Sequence, residues 1–134
     1  MAKEQRRLGP LASQFVAAGV LGIAKYYDTY LPKLDAKFGR WPLEQHNTAV
    51  CPVHEDNDPS MGVIQGRSGE EKYHCFGCGS AGTVVELHLR VVRKWEKRSI
   101  NENGAVKELC ALVGWDFEEF SKKHGFISGE AGFD

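Results

Sequence analysis

The chain has 134 residues, 42% of them hydrophobic and 26% charged, the length and balance of one folded domain and too little for a two-domain enzyme. Seventeen Lys and Arg oppose eighteen Asp and Glu, a formal charge of −1, so no global basic field attracts nucleic acid and any such contact must be local. Fifteen glycines against five prolines, with no repeat or low-complexity run, exclude a linker or tail.

The most apolar window, residues 15–24 (FVAAGVLGIA), is ten residues long, whereas crossing a bilayer takes about 20. Lys3, Arg6 and Arg7 precede it as in a secretory leader, but Ser13 and Gln14 interrupt the apolar region and no clear small-residue cleavage site follows. The apolar spacing instead continues through Val16, Val20, Ile23, Tyr27, Tyr30 and Leu34, predicting one helix face. Pro32 should end or kink that helix near Leu31, since proline lacks the N–H that an inner turn needs.

Three of the four cysteines form an uneven pattern with a histidine: Cys51-x2-His54, then twenty residues, then Cys75-x2-Cys78. Two such knuckles supply the four soft or borderline ligands that structural zinc takes in a tetrahedron. Gly77 and Gly79 suit the second turn, where a positive φ costs glycine nothing. Disulfides would leave His54 and an odd cysteine unexplained in a chain without a convincing secretion signal. With four protein ligands no position is left for a catalytic water, so the expected cofactor is one structural zinc ion. A zinc deaminase would need a His-x-Glu and an open coordination position, and here the pair is His54-Glu55 with Pro52 after the first cysteine.

These segments carry a resemblance. CPVHEDNDPSMGV (51–63) and YHCFGCGSAGTVVEL (73–87) resemble the zinc-binding domain of bacterial and phage DnaG-type DNA primases. Residues 105–114 resemble that family's closing helix more loosely, and the first 45 residues match poorly. Where the family commonly has Asp after the last motif glycine, this chain has Thr83. The implied fold is α+β: a small zinc ribbon, an antiparallel hairpin or sheet with two metal knuckles, flanked by N-terminal and C-terminal helices. The chain divides accordingly into an N-terminal helical segment (1–45), the zinc-binding domain with its following helices (46–117) and a C-terminal tail (118–134).

Thr83 with Glu86 reads as a capping box opening a helix over residues 84–97, with Val84, Leu87, Val91 and Trp95 as its apolar face. Residues 61–65 and 72–76 read as two strands joined by a polar turn over 65–71. Period-two alternation puts Tyr73 and Cys75 on one face and Lys72, His74 and Phe76 on the other. Cys110 falls in the buried spacing Val106, Leu109, Cys110, Val113 and should be a spectator to the metal.

The resemblance implies contact with single-stranded DNA template near the start of an RNA primer, while a separate catalytic domain polymerises ribonucleotides. Cations tracking phosphates and aromatic faces stacking bases hold single strands. Arg67, Lys72 and His74 with Phe76 form such a set on the hairpin, although Phe76 taken alone is expected to pack beneath the knuckle. A second set, Arg90, Arg93, Lys94, Lys97 and Arg98 against Glu96, gives a local charge of +4, part of which would offset a helix dipole. Zinc loading moves the formal net charge from −1 to −2, so a catalytic primase subunit, and with it a replicative helicase, is expected to supply affinity through tethering.

The family's catalytic domain resembles a toprim fold with a Glu and an Asp-x-Asp cluster. After Cys78 only 56 residues remain, without that triplet, and Asp56-Asn57-Asp58 reads as turn chemistry. The expectation is a non-catalytic module or separate subunit of a primase system, or a piece of a longer chain, acting in the cytoplasm of a bacterial or phage-infected cell and not on a membrane. The alternative is a zinc-ribbon adaptor that docks on a helicase or polymerase without reading template.

Overall fold

The computed structural model describes residues 8–54, 58–66 and 69–123. Helix α1 (Pro10–Ala18) starts with proline at its first turn, where a missing N–H is harmless. It ends at Gly19, whose left-handed φ of 63° closes the helix through its N–H on Val16 O. Helix α2 (Ile23–Tyr30) begins after the extended Gly22, and the Glu71 carboxylate accepts the Ile23 N–H at 2.8 Å. The single helix face expected across this stretch is therefore two helices, broken between two glycines, and Val20 is 38% exposed at the corner. Pro32 acts as expected: α2 gives way to a 3₁₀ turn at Leu31–Lys33. A second 3₁₀ turn, Ala36–Gly39, is capped by the Asp35 carboxylate.

Four antiparallel strands follow in spatial order β1 (Ala49–Val50), β2 (Pro59–Gln65), β3 (Glu71–Cys75) and β4 (Ala81–Gly82). The central register pairs Met61 with Cys75, Gly62 with His74 and Ile64 with Lys72. Met61, Tyr73 and Cys75 are buried on the inner face, so the expected hairpin and its alternation hold. Helix α3 (Val84–Val91) opens on the expected capping box, with the Thr83 N–H on Glu86 Oε1 at 2.8 Å. It does not continue as an α-helix to residue 97: Val92–Glu96 form one π turn, and Lys97 stops it at a φ of 55°. Insertions of this kind widen a helix locally and re-aim its side chains. Here the Trp95 indole N–H reaches Pro52 O at 2.8 Å, beside the first cysteine.

Helix α4 (Glu102–Leu112) is capped by Asn101 and buries Val106, Leu109 and Cys110 as the spacing predicts, whereas Val113, the fourth residue of that spacing, caps the helix end and is half-buried. The start of the segment expected as a C-terminal tail is helix α5 (Phe117–Lys123), whose Phe120 meets Phe15 of α1 edge-on at 6.1 Å. One apolar cluster runs from Leu11 through the inner sheet face to Phe120, so the N-terminal helices share the core of the ribbon. No described helix is long and apolar enough to cross a membrane.

A polar ring clamps the helices. His88, wholly buried on α3, meets the Tyr26 hydroxyl at 2.8 Å and Glu108 of α4 at 2.7 Å. Arg98 forks onto Glu108 at 2.7 and 3.1 Å and also holds Glu96. Glu96 accepts the Tyr30 hydroxyl, and Tyr30 stacks on Tyr26 at 5.4 Å.

Candidate metal centre

Two tight turns, at the ends of β1 and β3 on either side of β2, bring four donors together. Cys51 directly follows β1, and His54 lies three residues on; Cys75 ends β3, and Cys78 sits in the turn closed by the Gly79 N–H on Cys75 O at 2.9 Å. Gly79 has a φ of 82° and needs to be glycine. Gly77 is not left-handed, and a Cβ there would rest at ordinary contact, 3.4 Å from His54 Nε2. The conformational expectation thus holds for one glycine of the pair. The Phe76 N–H on Ser60 O, at 2.7 Å, carries the strand pairing past Cys75 and sets the second turn against the start of β2.

The ligand atoms of Cys51, His54, Cys75 and Cys78 all lie within 4.8 Å of one another. His54 Nδ1 is 3.8 Å from Cys75 Sγ. Tetrahedral zinc, with Zn–S near 2.3 Å and Zn–N near 2.05 Å, has ligand–ligand edges of about 3.6 to 3.8 Å. Donor chemistry and spacing therefore both fit zinc, and four protein donors close its coordination shell, which makes the site structural.

The surroundings favour sulfur in its anionic form at one ligand. Cys75 Sγ accepts the Gly77 and Cys78 N–H groups at 3.3 Å each, and Ser60 Oγ lies 3.4 Å away. Burial raises the Cys75 thiol, but these hydrogen bonds outweigh it and hold the group below the ordinary thiol value. Cys51 Sγ accepts the Val53 N–H at 3.3 Å, and burial pushes its thiol well above the ordinary value. A bound cation is what would make both thiolates favourable. Cys110 lies outside this group, buried in α4, and burial pushes its thiol up to about 11.

The outer sheet face lies beside the centre. Lys72 and His74 are half-buried. Phe76 is 69% exposed, which corrects the expectation that it packs beneath the knuckle: Tyr73, Cys75 and Met61 fill that inner side. The His74 and Phe76 rings sit 4.6 Å apart. The Phe76 ring lies over Gly62, where a Cβ would be 3.9 Å from it. Lys72 shares its charge with Glu70 at 3.8 Å. Arg67, the other hairpin candidate, lies outside the described residues.

The second basic set does not form one patch. Arg90 turns back onto Tyr73, donating to its hydroxyl and to Ala81 O at 2.8 Å, with its guanidinium 5.8 Å from the ring centroid. Arg98 is taken up by Glu96 and Glu108. Arg93 and Lys97 are exposed and Lys94 half-buried. Sequence reasoning missed Ser60 as a support for Cys75, although Pro59-Ser60 is part of the motif. It also missed Glu108, the second carboxylate on Arg98, because residues 98 and 108 meet only through tertiary packing.

The comparisons agree with this geometry. The CHC2 zinc finger family model, of the DnaG zinc-ribbon type, matches residues 43–125, more than half of the chain. The chain is 32% identical over 76 residues to the DNA primase of Pasteurella multocida, covering 57% of this chain and 12% of that protein. It is 45% identical over 68 residues to the DNA primase of Thermotoga maritima, covering 51% of this chain and 10% of that protein. The chain thus spans about a tenth of the curated relatives it matches. No solved structure gives a significant match. With the four donors gathered as that family's name requires, the chain belongs to the CHC2 zinc finger family of DNA primases.

Proposed function

We propose that this chain is the template-contacting zinc module of a primase system, non-catalytic by itself, working beside a catalytic primase domain in the cytoplasm of a bacterial or phage-infected cell. Cys51, His54, Cys75 and Cys78 hold one zinc ion, which fixes the ends of β1 and β3. The outer face of the hairpin, with Lys72, His74 and Phe76, then takes single-stranded DNA. The observation that carries this reading is Phe76: an aromatic ring 69% exposed, with His74 4.6 Å away. Exposed rings of this kind serve as stacking platforms, worth about 1 to 3 kcal/mol per base. Arg90, Arg93, Lys94 and Lys97 are the competing surface, and of these Arg90 is already committed to Tyr73 and Ala81.

Fluorescence anisotropy of a labelled single strand at low salt tests the reading. Lys72→Ala with Phe76→Ala should weaken binding about tenfold to a hundredfold, with zinc content and thermal midpoint retained. Unchanged affinity in this double variant, with loss in Arg93→Ala with Lys97→Ala, would move the template to the helix end. Capture of a helicase or polymerase by a chain that binds no single strand would establish the adaptor reading instead.

A further inference from the structure

The structure brings a basic segment absent from both candidate sets against the zinc ribbon. Lys33, Lys37 and Arg40 surround the 3₁₀ turn at Ala36–Gly39, with Asp35 as the acid among residues 33–41. That carboxylate is turned inward to the Lys37 N–H at 2.9 Å. Lys37 Nζ lies 5.6 Å from the Trp95 ring centroid, and Phe38 meets Trp95 edge-on at 5.2 Å. The turn is thereby fixed to the π turn that also carries Lys94. Arg40 lies over the half-buried Trp41 ring at 5.4 Å. Lys33 and Arg40 are exposed, and neither meets a carboxylate among the described residues. Glu96, the acid of the π turn, is engaged by Tyr30 and Arg98.

We propose that this segment is a second contact surface for single-stranded nucleic acid, with Lys33 and Arg40 facing phosphates and the Arg40–Trp41 pair receiving a base. It rests on the reading of the chain as a single-strand binder and adds a contact outside residues 43–125, the part shared with the family. Cations alone would serve an acidic peptide equally well. A planar guanidinium over an indole, next to the exposed cation of Lys33, matches the alternation of base and phosphate along a strand.

The test uses the zinc-loaded full chain and a labelled 30-nucleotide oligothymidylate. Lys33→Glu with Arg40→Glu changes only exposed side chains, so folding should be kept. It should weaken binding at least tenfold and lower the salt slope by one to two units, at about 0.7 per phosphate contact on single strands. Polyglutamate should not compete, and 5-iodouracil in the strand should cross-link to Trp41. Wild-type binding by this variant, while Lys72→Ala with Phe76→Ala loses it, overturns the second surface and leaves the hairpin reading standing. Loss in the first variant alone removes the hairpin and keeps this surface. Competition by polyglutamate, or cross-linking confined to Phe76, also overturns the proposal, and absence of binding by the unaltered chain overturns both readings.

Discussion

His88 and Glu108 meet at 2.7 Å between α3 and α4, and the imidazole has no contact with solvent. With the Tyr26 hydroxyl 2.8 Å from Nδ1, the network assigns a neutral ring that donates from Nε2 to Glu108 and accepts at Nδ1. Burial lowers the His88 pKa from 6.5 despite the carboxylate. The Arg98 hydrogen bonds, with help from His88, pull Glu108 down to about 2.

Both shifts have one sign in the pH dependence of stability. As pH falls below 6.5 the unfolded histidine takes up a proton that buried His88 resists, so the unfolded state binds more protons and stability falls. Glu108 adds a second loss as pH drops from 4.5 towards 2. The thermal midpoint should therefore decline from pH 7 to pH 5, and His88→Gln should flatten that decline while costing about 1 to 3 kcal/mol at pH 7. Calorimetry with parallel zinc assays separates this from acid release of the metal. An equal slope in both proteins would exclude His88 as the source.

Zinc removal should unfold the sheet rather than loosen it, because β1 and β4 have two residues each and structural zinc supplies on the order of 10 to 16 kcal/mol of binding free energy. Cys78→Ser, at an exposed ligand that leaves the core untouched, should lose the ion. Cys110→Ser should keep one equivalent. The reverse result by atomic absorption would reassign the ligand set.

The zinc centre was legible because its two-residue gaps are local: each ligand pair sits in one tight turn, even though Trp95 and Ser60 support those turns from other elements. The hairpin was legible for a similar reason, since strand alternation has period two and Tyr73 and Cys75 must share a face. The break between α1 and α2 was not. Val16, Val20 and Ile23 keep helical spacing across Gly19, and only the left-handed glycine with Glu71 at the next helix start reveals two helices. The π turn and the fate of the basic residues were hidden by the same kind of distance. Arg90 and Arg98 look like surface charge until Tyr73 and Glu108 arrive from other elements.

Trp95 links the helical half to the first knuckle through its indole N–H on Pro52 O at 2.8 Å. Trp95→Phe retains most of the ring but leaves that carbonyl without the indole donor, a loss of about 1 kcal/mol. The variant should fold and hold zinc more weakly, with faster metal transfer to a chromogenic chelator. Transfer at the wild-type rate would show that the π turn does not support the knuckle.

Arg90 separates a structural cation from a template contact. It donates to the Tyr73 hydroxyl and to Ala81 O at 2.8 Å, and its guanidinium lies 5.8 Å from the Tyr73 ring centroid, so it ties α3 to the short strand β4. Hydrogen bonds from a charged donor contribute about 1.5 to 3 kcal/mol each, and Arg90→Ala takes the guanidinium from the buried Tyr73 hydroxyl, which keeps its contact with Ser80. The expected result is a stability loss of about 2 kcal/mol in urea titration, with single-strand affinity unchanged for the fraction that is folded. Arg93→Ala, at an exposed site where the guanidinium donates to Ile100 O at a long 3.4 Å, should leave stability within about 0.5 kcal/mol of the parent. If Arg90→Ala instead kept full stability and lost DNA affinity with a shallower salt slope, the guanidinium would be a phosphate ligand, and its contacts with Tyr73 and Ala81 would be incidental to the fold.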